Sequence, residues 1–95
     1  MAAYVIVDAE VTDPAKYEDY KKLSPGAVAK HGGRFLARGG QTAVLEGDWR
    51  PNRMVVLEFP TLEQARAFYT SVEYTAARRA RAGAAHFNMV AVEGL

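Results

Sequence analysis

Ninety-five residues, 49% hydrophobic and 24% charged, suffice for one compact domain and are too apolar for a disordered chain. A formal net charge of +1 gives no electrostatic basis for nucleic acid or an anionic membrane as partner. With no cysteine, the chain lacks disulfides, thiolate nucleophiles and cysteine metal sites together.

The first residues, Met1 to Asp8, carry no basic stretch and only a short apolar run. No window approaches the roughly 20 apolar residues of a membrane span. The expectation is a cytoplasmic protein, a single domain over residues 1–95. Tyr4 to Ala9 is short, β-branched and aromatic, as in a buried strand. Asp13-Pro14 then starts a helix, with Asp as cap and Pro in the first turn. Tyr17, Tyr20, Ala27 and Val28 share one face of it. Pro25 lacks the N–H for the carbonyl four residues back, which predicts a kink or a restart with Ser24 as cap. Gly32-Gly33 ends the helix.

Arg34 to Arg38 reads as a second strand closed by Gly39-Gly40, and Thr42 to Glu46 as its continuation past a bulge or a separate short strand. Gly47 to Asn52 is rich in turn residues. Arg53 to Phe59 is the clearest strand, stopped by Pro60. Thr61-Leu62-Glu63-Gln64 has the capping-box pattern, and the helix after it directs Leu62, Ala65, Phe68, Tyr69 and Val72 to a core. Ser71 offers a cap for a further helical stretch with Tyr74, Arg78, Arg79 and Arg81. Gly83 closes it, and Phe87 to Glu93 is the last strand.

This order predicts an α+β, ferredoxin-like βαββαβ sandwich: a four-stranded antiparallel sheet with two helices on one face. Side chains alternate along a strand, so each face can be read separately. Val5 and Val7 face one way in the first strand and Tyr4 and Ile6 the other; Val55, Leu57 and Phe59 oppose Met54 and Val56; Phe87, Met89 and Ala91 oppose Asn88, Val90 and Val92. Both faces are apolar, and two helices cover only one. The uncovered residues, each worth roughly 1.5–3 kcal/mol on full burial, predict a homodimer joined sheet to sheet.

Four segments carry a family resemblance: Gly32-Gly33-Arg34-Phe35-Leu36-Ala37-Arg38-Gly39-Gly40, Glu46-Gly47-Asp48-Trp49-Arg50-Pro51, Glu58-Phe59-Pro60 and Tyr69-Thr70-Ser71-Val72-Glu73-Tyr74. They resemble, in order and over essentially the whole chain, a bacterial family of domains of unknown function in the dimeric α/β-barrel superfamily. The resemblance implies the same fold and a sheet-to-sheet dimer. Relatives in that superfamily include cofactor-free monooxygenases, lactone isomerases, haem-degrading enzymes and stress-responsive proteins. It carries over no established reaction and no catalytic residue.

Topology places His31, Arg34 and Glu58 at one end of the sheet, and Asp8, Glu10, Arg38, Trp49, Arg53, the end of the second helix and His86 at the other. The histidines are therefore apart, and no metal or cofactor is expected. Arg38 and Arg78 are candidates to hold a carboxylate in bidentate fashion, with Trp49 and Tyr74 as an aromatic wall. His31 and His86 are candidate bases. Each has a plainer reading. His31 suits a helix C-terminus, and His86 a strand edge. The arginines suit a solvated helix face, and Trp49 a cap or a partner contact. Ser24 and Ser71 look like helix caps, so no serine triad is assembled. Tyr17, Tyr20, Tyr69 and Tyr74 suit core aromatics, or the lining of a pocket between helices and sheet.

Three functions follow as expectations. The first is a homodimer that binds a small apolar or carboxylated molecule. The second is a cofactor-independent enzyme of monooxygenase or isomerase type. The third is a structural or regulatory dimer without a ligand.

Overall fold

The structure, a computed structural model, describes residues 1–95. Strand β1 (Ala3–Val11) leads into helix α1 (Pro14–Lys30), strand β2 (Arg34–Arg38), strand β3 (Arg53–Phe59), helices α2 (Leu62–Thr70) and α3 (Val72–Ala80), and strand β4 (Ala85–Glu93). The sheet order is β2-β3-β1-β4, with every neighbouring pair antiparallel. This is the ferredoxin-like arrangement, with three helices where two were expected.

The third helix arises at Ser71, whose extended backbone (ψ 159°) ends α2. Its hydroxyl accepts from Tyr74 N at 3.1 Å and so caps α3. Asp13 caps α1 by accepting from Lys16 N at 3.2 Å. At Thr61 half of the capping box forms: its Oγ1 accepts from Gln64 N at 3.1 Å, while Gln64 Oε1 meets the Thr61 hydroxyl.

Two expectations about where elements break or continue are corrected. Helix α1 runs on through Pro25, and Ser24 is buried inside it instead of capping a restart. Pro25 leaves the carbonyl of Lys21 without its helical donor. Arg38 Nη2 of β2 supplies one at 3.1 Å, so the helix survives the missing bond. The second correction is Thr42–Glu46, which forms no strand and is exposed along its length. The segment does not add to the open edge of β2, and the sheet ends there. The only irregularity in that pairing is the register shift between Phe35 and Ala37.

The core follows the expected alternation. Val5, Val7, Val55, Leu57 and Phe59 are buried beneath the helices. An aromatic chain crosses it: Phe59 to Phe68 at 4.9 Å, Phe68 to Tyr74 at 4.3 Å and Tyr74 to Tyr20 at 6.0 Å between ring centres. Val72, expected in the core, is 82% exposed, because the break at Ser71 turns α3 so that Tyr74 and Ala77 face inward instead. Gly33 lies so close to the Phe59 ring that a β-carbon there would meet it at 2.5 Å. Gly32 takes φ +77°, the left-handed turn that ends α1.

No helix lies on the opposite face of the sheet. Tyr4, Ile6, Met54 and Val56 are half-buried there, and Val90 is 60% exposed. Asp8 shares this face by alternation and accepts from Trp49 Nε1 at 3.0 Å and Asn52 N at 2.8 Å. The β2–β3 loop is thereby tied to the margin of the bare face. Leu45 in the same loop is 95% exposed.

Candidate functional site

The space around the helix-side tyrosines is nearly filled. Tyr17, Tyr20, Tyr74, Arg38, Phe35 and their neighbours surround a gap of about 20 Å³. That holds roughly one water. Tyr20 and Tyr74 hydroxyls lie 2.6 Å apart, and Tyr74 also approaches Met89 sulfur at 3.9 Å. Burial, with the Tyr74 hydroxyl as neighbour, pushes the Tyr20 phenol well above its ordinary range. Burial likewise raises Tyr17, against the opposing pull of Arg53, whose Nη1 donates to its hydroxyl at 3.3 Å. These phenols stay neutral and serve as packing groups with internal hydrogen bonds.

A much larger space opens beside β4. Between α2 and this edge strand lies an open cleft of about 760 Å³. Helix α2 contributes Ala65, Arg66, Phe68, Tyr69 and Thr70 to it. The sheet contributes Val5 and the run Ala85, His86, Phe87, Met89, Val90 and Ala91, and Arg81 closes one end where α3 terminates. The Arg81 guanidinium carbon lies 3.7 Å from the centre of the Phe87 ring and 5.3 Å from that of Tyr20. Its Nε is buried with no hydrogen-bond partner.

Of the six candidate residues from the sequence, only His86 lines this cleft. Arg78 sits one turn up α3, with its guanidinium 4.3 Å over the Tyr69 ring and Nη2 donating to Thr75 Oγ1 at 3.3 Å. Arg38 lies over Phe35 and is engaged by the Lys21 carbonyl. Tyr74 is buried in the core, whereas Trp49 belongs to the loop held by Asp8 on the other face. The structure therefore does not bring Trp49 and Tyr74 together as a wall, nor Arg38 and Arg78 to the cleft.

His31 lies at the far end, as topology implied. Its Nε2 is 3.2 Å from Glu73 Oε1, and Lys30 Nζ donates to Glu73 Oε2 at 2.9 Å. These bonds, Lys30 first and His31 second, hold the Glu73 carboxyl down at about 2. Arg34 and Glu58 pair at 2.7 Å beside them. This cluster fastens the end of α1 to the start of α3. Sequence reading passed over Arg81 as a site residue. Its signal was its place at the helix terminus, one turn beyond Ala77 on the inward face.

Nearly the whole chain, residues 2–95, matches the family described as domain of unknown function DUF1330. The chain belongs to this family. Among curated proteins, none matches this DUF1330 member. Solved structures give its fold clear counterparts. A protein of unknown function from Rhodopseudomonas palustris superposes with a TM-score of 0.74 at 17% identity, over 99% of this chain and 82% of that one. SnoaB, a cofactor-independent oxygenase from Streptomyces nogalater, superposes with 0.67 at 12% identity, over 99% and 93%. A dimeric ferredoxin-like protein of unknown function from Bacteroides fragilis gives 0.60 at 14% identity, over 98% and 96%. At these identities the likeness establishes the fold of the DUF1330 chain and nothing finer.

Proposed function

We propose that this DUF1330 chain works as a homodimer, closed through its bare sheet faces, and binds a small, largely apolar molecule in the cleft beside β4. The cleft carries the reading. Its volume of about 760 Å³ lies within the roughly 300–1,000 Å³ of small-molecule pockets, and its lining is mostly aliphatic and aromatic. The half-buried row Tyr4, Ile6, Met54 and Val56 supports the pairing, as does the Bacteroides fragilis protein, itself described as dimeric. Titration of the labelled protein with small aromatic and aliphatic compounds, followed by amide NMR, tests the binding. Shifts confined to Ala65, Phe68, Phe87 and Met89 are the expected result. Their absence across such a panel, or shifts scattered over the surface, defeats the reading.

A second reading, cofactor-independent catalysis of oxygenase or isomerase type, is favoured by one observation. His86 places an imidazole at the rim of the cleft, where it can take a proton from a bound substrate. The fold shared with SnoaB is an analogy only. Under this reading His86→Ala abolishes turnover of a cleft-bound quinol or lactone while binding persists. Unchanged turnover removes His86 as the base.

A further inference from the structure

We infer that the ligand of the β4 cleft is a monocarboxylic acid with an apolar body, and that Arg81 is the anchor for its carboxylate. This rests on the cleft reading above and names the chemistry of its occupant. Three observations lead there.

First, the titratable groups lining the cleft are Arg66, Tyr69, Arg81 and His86, with no aspartate or glutamate among the 13 lining residues. A cleft of one sign in apolar walls favours an anion. Second, Arg81 has no acidic partner. The ion pairs Lys21–Glu18, Lys30–Glu73, His31–Glu73 and Arg34–Glu58 leave it out, and its buried Nε has no acceptor. A guanidinium donor buried without an acceptor carries a desolvation cost that a carboxylate removes.

Third, the group is already aimed. The backbone of Arg81 is fixed on both sides, its N–H bonding Ala77 O and its carbonyl accepting from Ala84 N. The guanidinium then lies over the Phe87 ring, its carbon 3.7 Å from that ring's centre and 5.3 Å from that of Tyr20. Neutralising the carbonyl end of α3 would not require it to lie over a side chain of β4. Its Nε–H meets no acceptor, and the edge that carries it is the part of a guanidinium that grips a carboxylate with two parallel bonds.

The remainder of the lining, Val5, Ala65, Phe68, Met89 and Ala91, suits a hydrocarbon or aromatic body. A dianionic phosphate fits less well. The C-terminal ends of α2 and α3, Thr70 and Arg81, both border the cleft. Their carbonyl dipoles oppose every added negative charge, so the Arg81 cation offsets a single charge more readily than two.

The experiment compares matched acid and amide probes by NMR titration of the full chain: 1-naphthoate against 1-naphthamide, and octanoate against octanamide. The acid is expected to bind about tenfold tighter in each matched pair. In the wild-type protein, the Arg81 Nε–H signal should move with the acid and stay with the amide. Arg81→Gln should erase the preference, leaving acid and amide equal, whereas Arg79→Gln on the exposed side of α3 should keep it. Equal wild-type affinity for acid and amide overturns the carboxylate assignment while the cleft reading stands. A preference that survives Arg81→Gln, or an unmoved Nε–H signal, overturns Arg81 as anchor. Tighter binding of 1-naphthyl phosphate than of 1-naphthoate overturns the single-charge class. If none of the probes binds, this inference and the cleft reading fall together.

Discussion

The two faces of the sheet are built from the same kinds of residue and meet different fates. Val55 and Val56 are adjacent in β3, yet Val55 is buried under the helices and Val56 stays half-buried on the side no helix covers. Composition cannot separate these positions; only the alternation of the strand and the placement of every helix on one side do so. Under the proposed pairing, an apolar side chain is a folding residue on one face and an association residue on the other.

The largest effect should come from placing the same charge on each face in turn. Val55→Asp buries an unpaired carboxylate and is expected to cost about 4 kcal/mol or more, most of the stability of a domain this size. Val56→Asp should leave the monomer folded, within about 1 kcal/mol of wild type by urea unfolding. In sedimentation it should convert a dimer to a particle of single-chain mass. If both variants unfold, or if wild type is already monomeric, the two faces do not divide the labour in this way.

A smaller effect is expected on the covered side. Tyr20→Phe leaves the Tyr74 hydroxyl with only the Met89 sulfur at 3.9 Å, and should cost about 1–2 kcal/mol without changing assembly. A shift in the dimer equilibrium would show that the faces are coupled through the core.

The smallest is a pH effect at the edge of the helix layer. The Glu73 carboxyl titrates at about 2 in the folded chain, below its ordinary 4.5. Its contribution is complete above pH 4.5 and is lost as the pH falls from there toward 2. Wild type should therefore exceed Glu73→Gln in urea midpoint at pH 6, and the gap should narrow steadily between pH 4.5 and 2. A constant gap would show that Glu73 acts by packing rather than charge.

Much of this organisation was legible in the sequence, because strand parity and caps are local. Val5 and Val7, Val55 and Leu57, Asp13, Thr61 and Ser71 all announce their roles within a few residues. What was not legible depends on distant partners. Pro25 reads as a helix breaker until Arg38, thirteen residues on, provides the donor that the Lys21 carbonyl lacks. Thr42 to Glu46 has the composition of a strand but pairs with none. Trp49 was placed at the correct end of the sheet, yet Asp8 holds it on the other face from Tyr74. In the basic run, Arg78 and Arg81 look alike by type; Arg81 reaches the cleft because α3 ends at Ala80 and the chain then turns toward β4.

The bond from Arg38 to Lys21 has a consequence for how the molecule comes apart. β2 is short, borders solvent along one side and has little to hold it beyond β3. Its guanidinium is hooked over a carbonyl that only a proline could have left vacant. Peeling β2 away must then strip the middle of α1 of its substitute donor, so strand and helix should loosen in concert. Restoring the backbone N–H with Pro25→Ala would mend the helix and, by the same act, unhook the strand.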